Sequence, residues 1–142
     1  VEREMANTVE DSIYLMNRVN ENCGVPMKLI IDIGHAPHPD QWDPYLWLER
    51  AGKYSPIVHL QQSQLGKSLH WPFTEKYNEQ GHIKAEKVIE SLKKGGAEYC
   101  ELILELSHRE HRDIEPLIIP DHKESVGYWK KHIAKENSSE GA

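Results

Sequence analysis

The feature that most constrains this chain is a pattern met three times. A short apolar run ends in a residue type that can ligate a cation, and a stretch suited to a helix follows. Met27-Lys28-Leu29-Ile30-Ile31 leads to Asp32-Ile33-Gly34-His35, Ile57-Val58 leads to His59-Leu60-Gln61-Gln62, and Leu102-Ile103-Leu104 leads to Glu105. Near-continuous apolar strands are covered on both faces, as in parallel sheets, and strand–helix–strand units cross over in a right-handed sense. In a βα barrel the C-terminal ends of neighbouring strands converge on one site. Asp, His and Glu gathered there suit a divalent cation of hard or borderline character. The plainer alternative is a small open α/β sheet with ordinary loops.

The punctuation of the chain agrees with that order. Residues 1–5 read as the tail of a strand. Asn7 and Thr8 are N-cap candidates with Glu10 and Asp11 in the first turn. Val9, Ile13, Met16 and Val19 then recur at helical spacing, and Gly24 is expected to close the helix. A strand is predicted over 27–32. Asp43-Pro44 opens a short helix through Leu46, Leu48 and Ala51 to Gly52. After a strand over 57–60, residues 61–80 read as irregular, a length that in a compact domain points to function. A helix over 82–94 stops at Gly95-Gly96, a strand spans 99–106, and Pro120-Asp121 introduces a last helix carrying Val126, Trp129 and Ile133. Residues 136–142 are expected to be a disordered tail.

Length and charge narrow the class. At 142 residues the chain holds one domain with a sizeable core, yet a full (β/α)8 barrel typically needs about 200 residues or more. Val1 in place of an initiator Met suggests a piece of a longer chain. Lys plus Arg number 17 against 23 Asp plus Glu, a net charge of -6, which disfavours nucleic acid as a partner. No apolar run approaches the roughly 18–20 residues of a membrane span, and no secretory signal is visible. Cys23 and Cys100 form no CxxC motif and read as packing thiols in a reducing cytoplasm.

Each candidate residue has an ordinary reading beside the chemical one. Asp-x-Gly-His, Asp32 to His35, can bring a carboxylate and an imidazole to one side of a turn, or simply make the turn. His59 within an apolar strand is either a core residue or a ligand. Glu105 at a strand end is paired, metal-bound or exposed. Glu2, with Glu4 as its alternate, ends the first strand or lies in a charged loop. His70 sits in Leu69-His70-Trp71-Pro72-Phe73, where Trp71 and Phe73 give either an apolar wall over a site or a plug that anchors a loop. His108, His111 and His122 read as solvated surface, while Arg109 and Arg112 are positioned to meet a phosphate.

Together these residues resemble the sugar phosphate isomerase/epimerase branch of the xylose isomerase-like TIM barrels. The segments VEREMANT, VHLQQ and HWPF are most similar to the tetrulose-phosphate racemases and epimerases of erythritol catabolism. The resemblance runs over nearly the whole chain and covers strands five to eight, the C-terminal half of the barrel. It implies one divalent metal ion (Mn, Co, Mg or Zn) held by Glu2, Asp32, His59 and Glu105, with His35, His70 and Trp71 toward the substrate. The implied reaction is epimerisation or isomerisation of a small ketose or ketose phosphate through an enediolate. Glu2 and Glu105 would move protons on opposite faces. The first half of the barrel, or self-association, would complete the fold, because the open barrel leaves strand edges unpaired.

Two departures matter. Ketose 3-epimerases carry an Arg a few residues after the metal-binding His, and 61–65 contains none. Endonuclease IV, a distant relative, needs an Asp-x-His in the next loop, where this chain has Ser68-Leu69-His70. An endonuclease IV-like phosphodiesterase is the rival enzymatic reading, and a non-catalytic half-barrel used for binding or assembly is the third.

Overall fold

The computed structural model describes residues 6–35, 43–107 and 112–139. The expected strand at 1–5, with Glu2 and Glu4, lies outside them. Helix α1 (Val9–Asn20) starts as its sequence predicts. Thr8 has extended backbone, and its hydroxyl accepts the N–H of Asp11 at 3.1 Å, with Glu10 and Asp11 at the positive end of the helix. The helix stops at Asn20, short of Gly24, because the Asn20 side chain makes the turn itself. Its amide donates to the Met27 carbonyl at 3.0 Å and accepts the Met27 N–H at 2.6 Å. That clasp also takes Met27 out of the sheet, so β1 is only Ile30–Asp32.

Helix α2 (Pro44–Ala51) is capped by Asp43, whose carboxylate accepts the Tyr45 N–H at 2.9 Å, with Pro at the first position. A short 3-10 turn (Gly52–Tyr54) leads into β2 (Ile57–Leu60). The 61–80 stretch contains a helix, α3 (Glu75–Gln80), that its sequence does not advertise. None of its six residues is buried, so it carries no apolar period. Helix α4 (Ala85–Lys94) begins later than 82 because the preceding N–H groups are already used: His82 donates to the Ser63 carbonyl and Ile83 to the Gln62 side chain. Its start is held from outside. Tyr45 of α2 accepts the Lys84 N–H at 2.9 Å, and Tyr128 accepts the Ala85 N–H at 3.2 Å.

Strand β3 (Glu101–Leu104) is followed by a 3-10 turn (Arg112–Leu117) and the long helix α5 (Ile118–Ser139). Helix α5 starts two residues ahead of Pro120. Proline is tolerated there because the N–H groups of a first turn have no intrahelical acceptor. The helix continues to Ser139, into the stretch expected to be a loose tail. Among the described residues no helix is long and apolar enough to cross a membrane.

The sheet order is β1-β2-β3, all parallel, with Asp32 paired to His59 and His59 to Ile103. Alternation along each strand sends Ile31, Val58 and Leu60 to one face. There they are buried with Leu48 and Ala51 of α2, Val88 of α4, Phe73, Ile83 and Trp129 of α5. Helices α2 and α4 meet closely at Gly95, where a Cβ would stand 2.1 Å from the Leu48 carbonyl oxygen. The opposite face carries Ile30, 59% exposed, and Ile103, 40% exposed, together with Asp32 and His59.

Candidate metal centre

Parallel register decides what meets at the strand ends. Asp32 closes β1 directly beside His59 of β2, and Glu105 follows β3, its N–H donating to the Leu60 carbonyl at 2.9 Å. His59 Nδ1 lies 2.7 Å from Glu105 Oε2. One ligand atom from each of Asp32, His59 and Glu105 falls within 4.8 Å of the others, and all three residues are half-buried. His35, His70 and Glu105 form a second such group around the same carboxylate. His35 Nε2 is 3.0 Å from His70 Nε2 and 3.0 Å from the Ser68 hydroxyl. Wider contacts join the groups: His35 Nε2 to Asp32 Oδ2 at 3.7 Å and His70 Nε2 to Glu105 Oε1 at 3.8 Å. An open cavity of about 210 Å³ lies against Asp32 and His35.

The electrostatics separate the two carboxyls. Burial pushes the Asp32 carboxyl up, and a hydrogen bond shared with Glu105 pushes it further; the Gly34 N–H at 2.8 Å works the other way. Burial also acts to raise Glu105, but hydrogen bonds from Asp32 and His59 outweigh it and hold Glu105 below its ordinary range. The shared site thus pushes the two carboxyls apart, Asp32 upward and Glu105 downward. Two carboxyls and an imidazole nitrogen gathered within 4.8 Å are a donor set that fits a divalent cation.

The structure brings Asp32, His59, Glu105, His35 and His70 together. Trp71, next on the loop, pairs through its backbone in both directions with Gln62 at 2.9 and 3.0 Å, and its ring lies 4.9 Å from that of Tyr77. Phe73 is fully buried, stacked on Tyr128 at 5.7 Å and edge-on to Trp129 at 5.1 Å. It is thus the plug that pins the loop to α5, not a wall over His70. Glu2, Arg109, His108 and His111 lie outside the described residues. His122 is half-buried on α5, with Nδ1 2.7 Å from the Ile118 carbonyl. Cys23 is exposed, not packed, because α1 ends before it, while Cys100 is half-buried. Burial, with Glu101 adding to it, pushes the Cys100 thiol up to about 11, which leaves it a poor nucleophile.

Sequence reasoning passed over Gln61 and Gln62, both fully buried. Two long amides buried directly after a strand need partners, and those they find include Asp32 and Ile83, 29 and 21 positions away.

No family model matches the chain. It is 37% identical over 136 residues to the D-erythrulose 1-phosphate 3-epimerase of Brucella abortus (strain 2308), covering 92% of this chain and 44% of that protein. In fold it matches the crystal structure of a candidate xylose isomerase from Rhodospirillum rubrum ATCC 11170. The TM-score is 0.70 at 23% identity, over 92% of this chain and 44% of the other. The chain thus spans less than half the length of either. It is a homologue of D-erythrulose 1-phosphate 3-epimerase, folded as about half of a xylose isomerase-like TIM barrel.

Proposed function

We propose that Asp32, His59 and Glu105 hold one divalent metal ion, Mn, Co, Mg or Zn, in an enzyme that epimerises or isomerises a small ketose or ketose phosphate. The observation that carries this reading is the convergence of three ligating side chains from three successive parallel strand ends within 4.8 Å. When bound, such an ion supplies Lewis acidity to the oxygens of a ketose and so acidifies the adjacent C–H. Glu105, the carboxyl of the pair held below its ordinary range, would take a proton from carbon on one side of the substrate. Glu2, matched by the resemblance alone, is the fourth ligand and the second proton carrier. His35 and His70 present Nε2 atoms toward the same carboxylates and orient substrate hydroxyls, with Trp71 behind them on the loop.

The homologue's name supports a tetrulose phosphate as the substrate class. Free thiols at Cys23 and Cys100 suit the reducing cytoplasm. The rest of a barrel, or a second copy of this chain, covers the face that carries Ile30 and Ile103. Activity belongs to that completed form.

Calorimetry with Mn2+ and a stereochemical assay on D-erythrulose 1-phosphate test the proposal. One ion per chain is expected, with His59→Ala weakening it about 100-fold and both His59→Ala and Asp32→Ala abolishing turnover. Three ions per chain with nicking of abasic DNA would favour the phosphodiesterase instead. Turnover that survives both substitutions would remove these residues from the chemistry.

A further inference from the structure

Gln61 follows β2 directly, between the metal-centre strand and the loop that carries His70, and it is fully buried. Its side-chain amide spans the two halves of the centre. Nε2 donates to Asp32 Oδ1 at 3.2 Å, while Oε1 accepts the His70 backbone N–H at 2.9 Å and stands 3.5 Å from the Ser68 hydroxyl. The His70 backbone N–H can only donate, and Asp32 Oδ1 accepts here, from Gly34 as well, so the bridging group must do both. A primary amide does, and Gln has the length to reach. The room for it is made by Gly34, where a Cβ would lie 2.1 Å from Gln61 Cδ.

His70 gives the bridge its purpose. Its φ is +49°, in the left-handed region that L side chains rarely adopt. Such a conformation persists only where the surroundings over-determine it. Here the Gln61 side chain fixes the N–H of His70 and Ser107 donates to its carbonyl at 3.1 Å. Gln62, equally buried, behaves differently. It accepts from Ser63 N and Ile83 N and donates to the Ile83 carbonyl and Asn78, which staples backbone to backbone without touching the centre.

We infer that Gln61 is a positioning residue that couples Asp32 to His70, so that the carboxylate and the strained imidazole-bearing loop are set as one unit. The effect on cation affinity rests on the metal reading above; the coupling itself is readable without any metal.

The test is amide hydrogen exchange of His70 in the 15N-labelled chain, beside Mn2+ calorimetry. Gln61→Met fills the space without polar atoms. It is expected to cut His70 protection at least tenfold relative to neighbouring amides and to weaken Mn2+ about tenfold. Gln61→Glu returns the acceptor for the His70 N–H but not the donor to Asp32, so it regains only part of the His70 protection, and a purely volume-filling role would give no such gain over Gln61→Met. Gln62→Met lowers the melting temperature but leaves the His70 amide alone. If Gln61→Met does not fold, Asp32→Ala reads the coupling from the other end: His70 protection falls although Asp32 makes no bond to that amide. Unchanged His70 protection in either variant overturns the inference. A wild-type chain that takes up no Mn2+ overturns the metal reading instead, and the exchange result still decides the coupling.

Discussion

Val58 and His59 are neighbours on one strand, yet they face two differently built environments. On the Val58 side the sheet is sealed: Ile31, Val58 and Leu60 lie under α2, α4, Phe73 and Trp129 with almost no exposure. On the His59 side Ile30 and Ile103 stand open to solvent beside three ligating groups. The sealed face is a complete core that helices of this chain close for themselves. The open face carries the candidate ligands beside apolar side chains that remain exposed. Stability and function are therefore separable here, because the residues that hold the fold together are not the ones that gather at the strand ends.

The sharpest test of that separation is Phe73→Ala. Removing a ring that packs on both Tyr128 and Trp129 should cost about 3–5 kcal/mol in denaturant unfolding. Metal uptake by the remaining folded fraction should be retained. A smaller effect probes the open face by pH. Asp32 is raised above its ordinary value by burial and by its bond to Glu105, so a cation competes with a proton there to higher pH than at an ordinary Asp. Below the raised pKa, Mn2+ affinity should climb about tenfold per pH unit, or roughly 1.4 kcal/mol. Asp32→Asn should lower that slope by one proton; an unchanged calorimetric profile in the variant would show that Asp32 is no ligand. The smallest effect belongs to Ile30→Ser. At an open position the change should stay within about 0.5 kcal/mol. A loss as large as that of Phe73→Ala would mean that the open face is covered in solution, which sedimentation of the wild-type chain would show as self-association.

How legible this was depended on the range of the interactions involved. Thr8 and Asp43 announce helix starts because a cap acts within three residues. Asp32, His59 and Glu105 could be singled out because each ends an apolar strand, and a parallel sheet brings such ends together. Helix α3 stayed hidden because it buries nothing. The direction of Phe73 could not be read either, since it depends on Ser125, 52 positions away, whose hydroxyl accepts its N–H. Gln61 was passed over for the same reason: its partners are 29 and 9 positions away, and nothing in its neighbours marks them. The early end of α1, and with it the exposure of Cys23, follows from an Asn20–Met27 clasp that no local propensity encodes.

Two phenols at the head of α4 carry a consequence for how the chain folds. Lys84 and Ala85 give their N–H groups to Tyr45 of α2 and Tyr128 of α5, and the helix has no capping side chain of its own. A ten-residue helix is too short to persist alone in water. Helix α4 therefore relies for its start on helices from before and after it in the chain, and the β2–β3 crossover that aligns His59 with Glu105 is expected to form as a product of tertiary contact, not of local propensity.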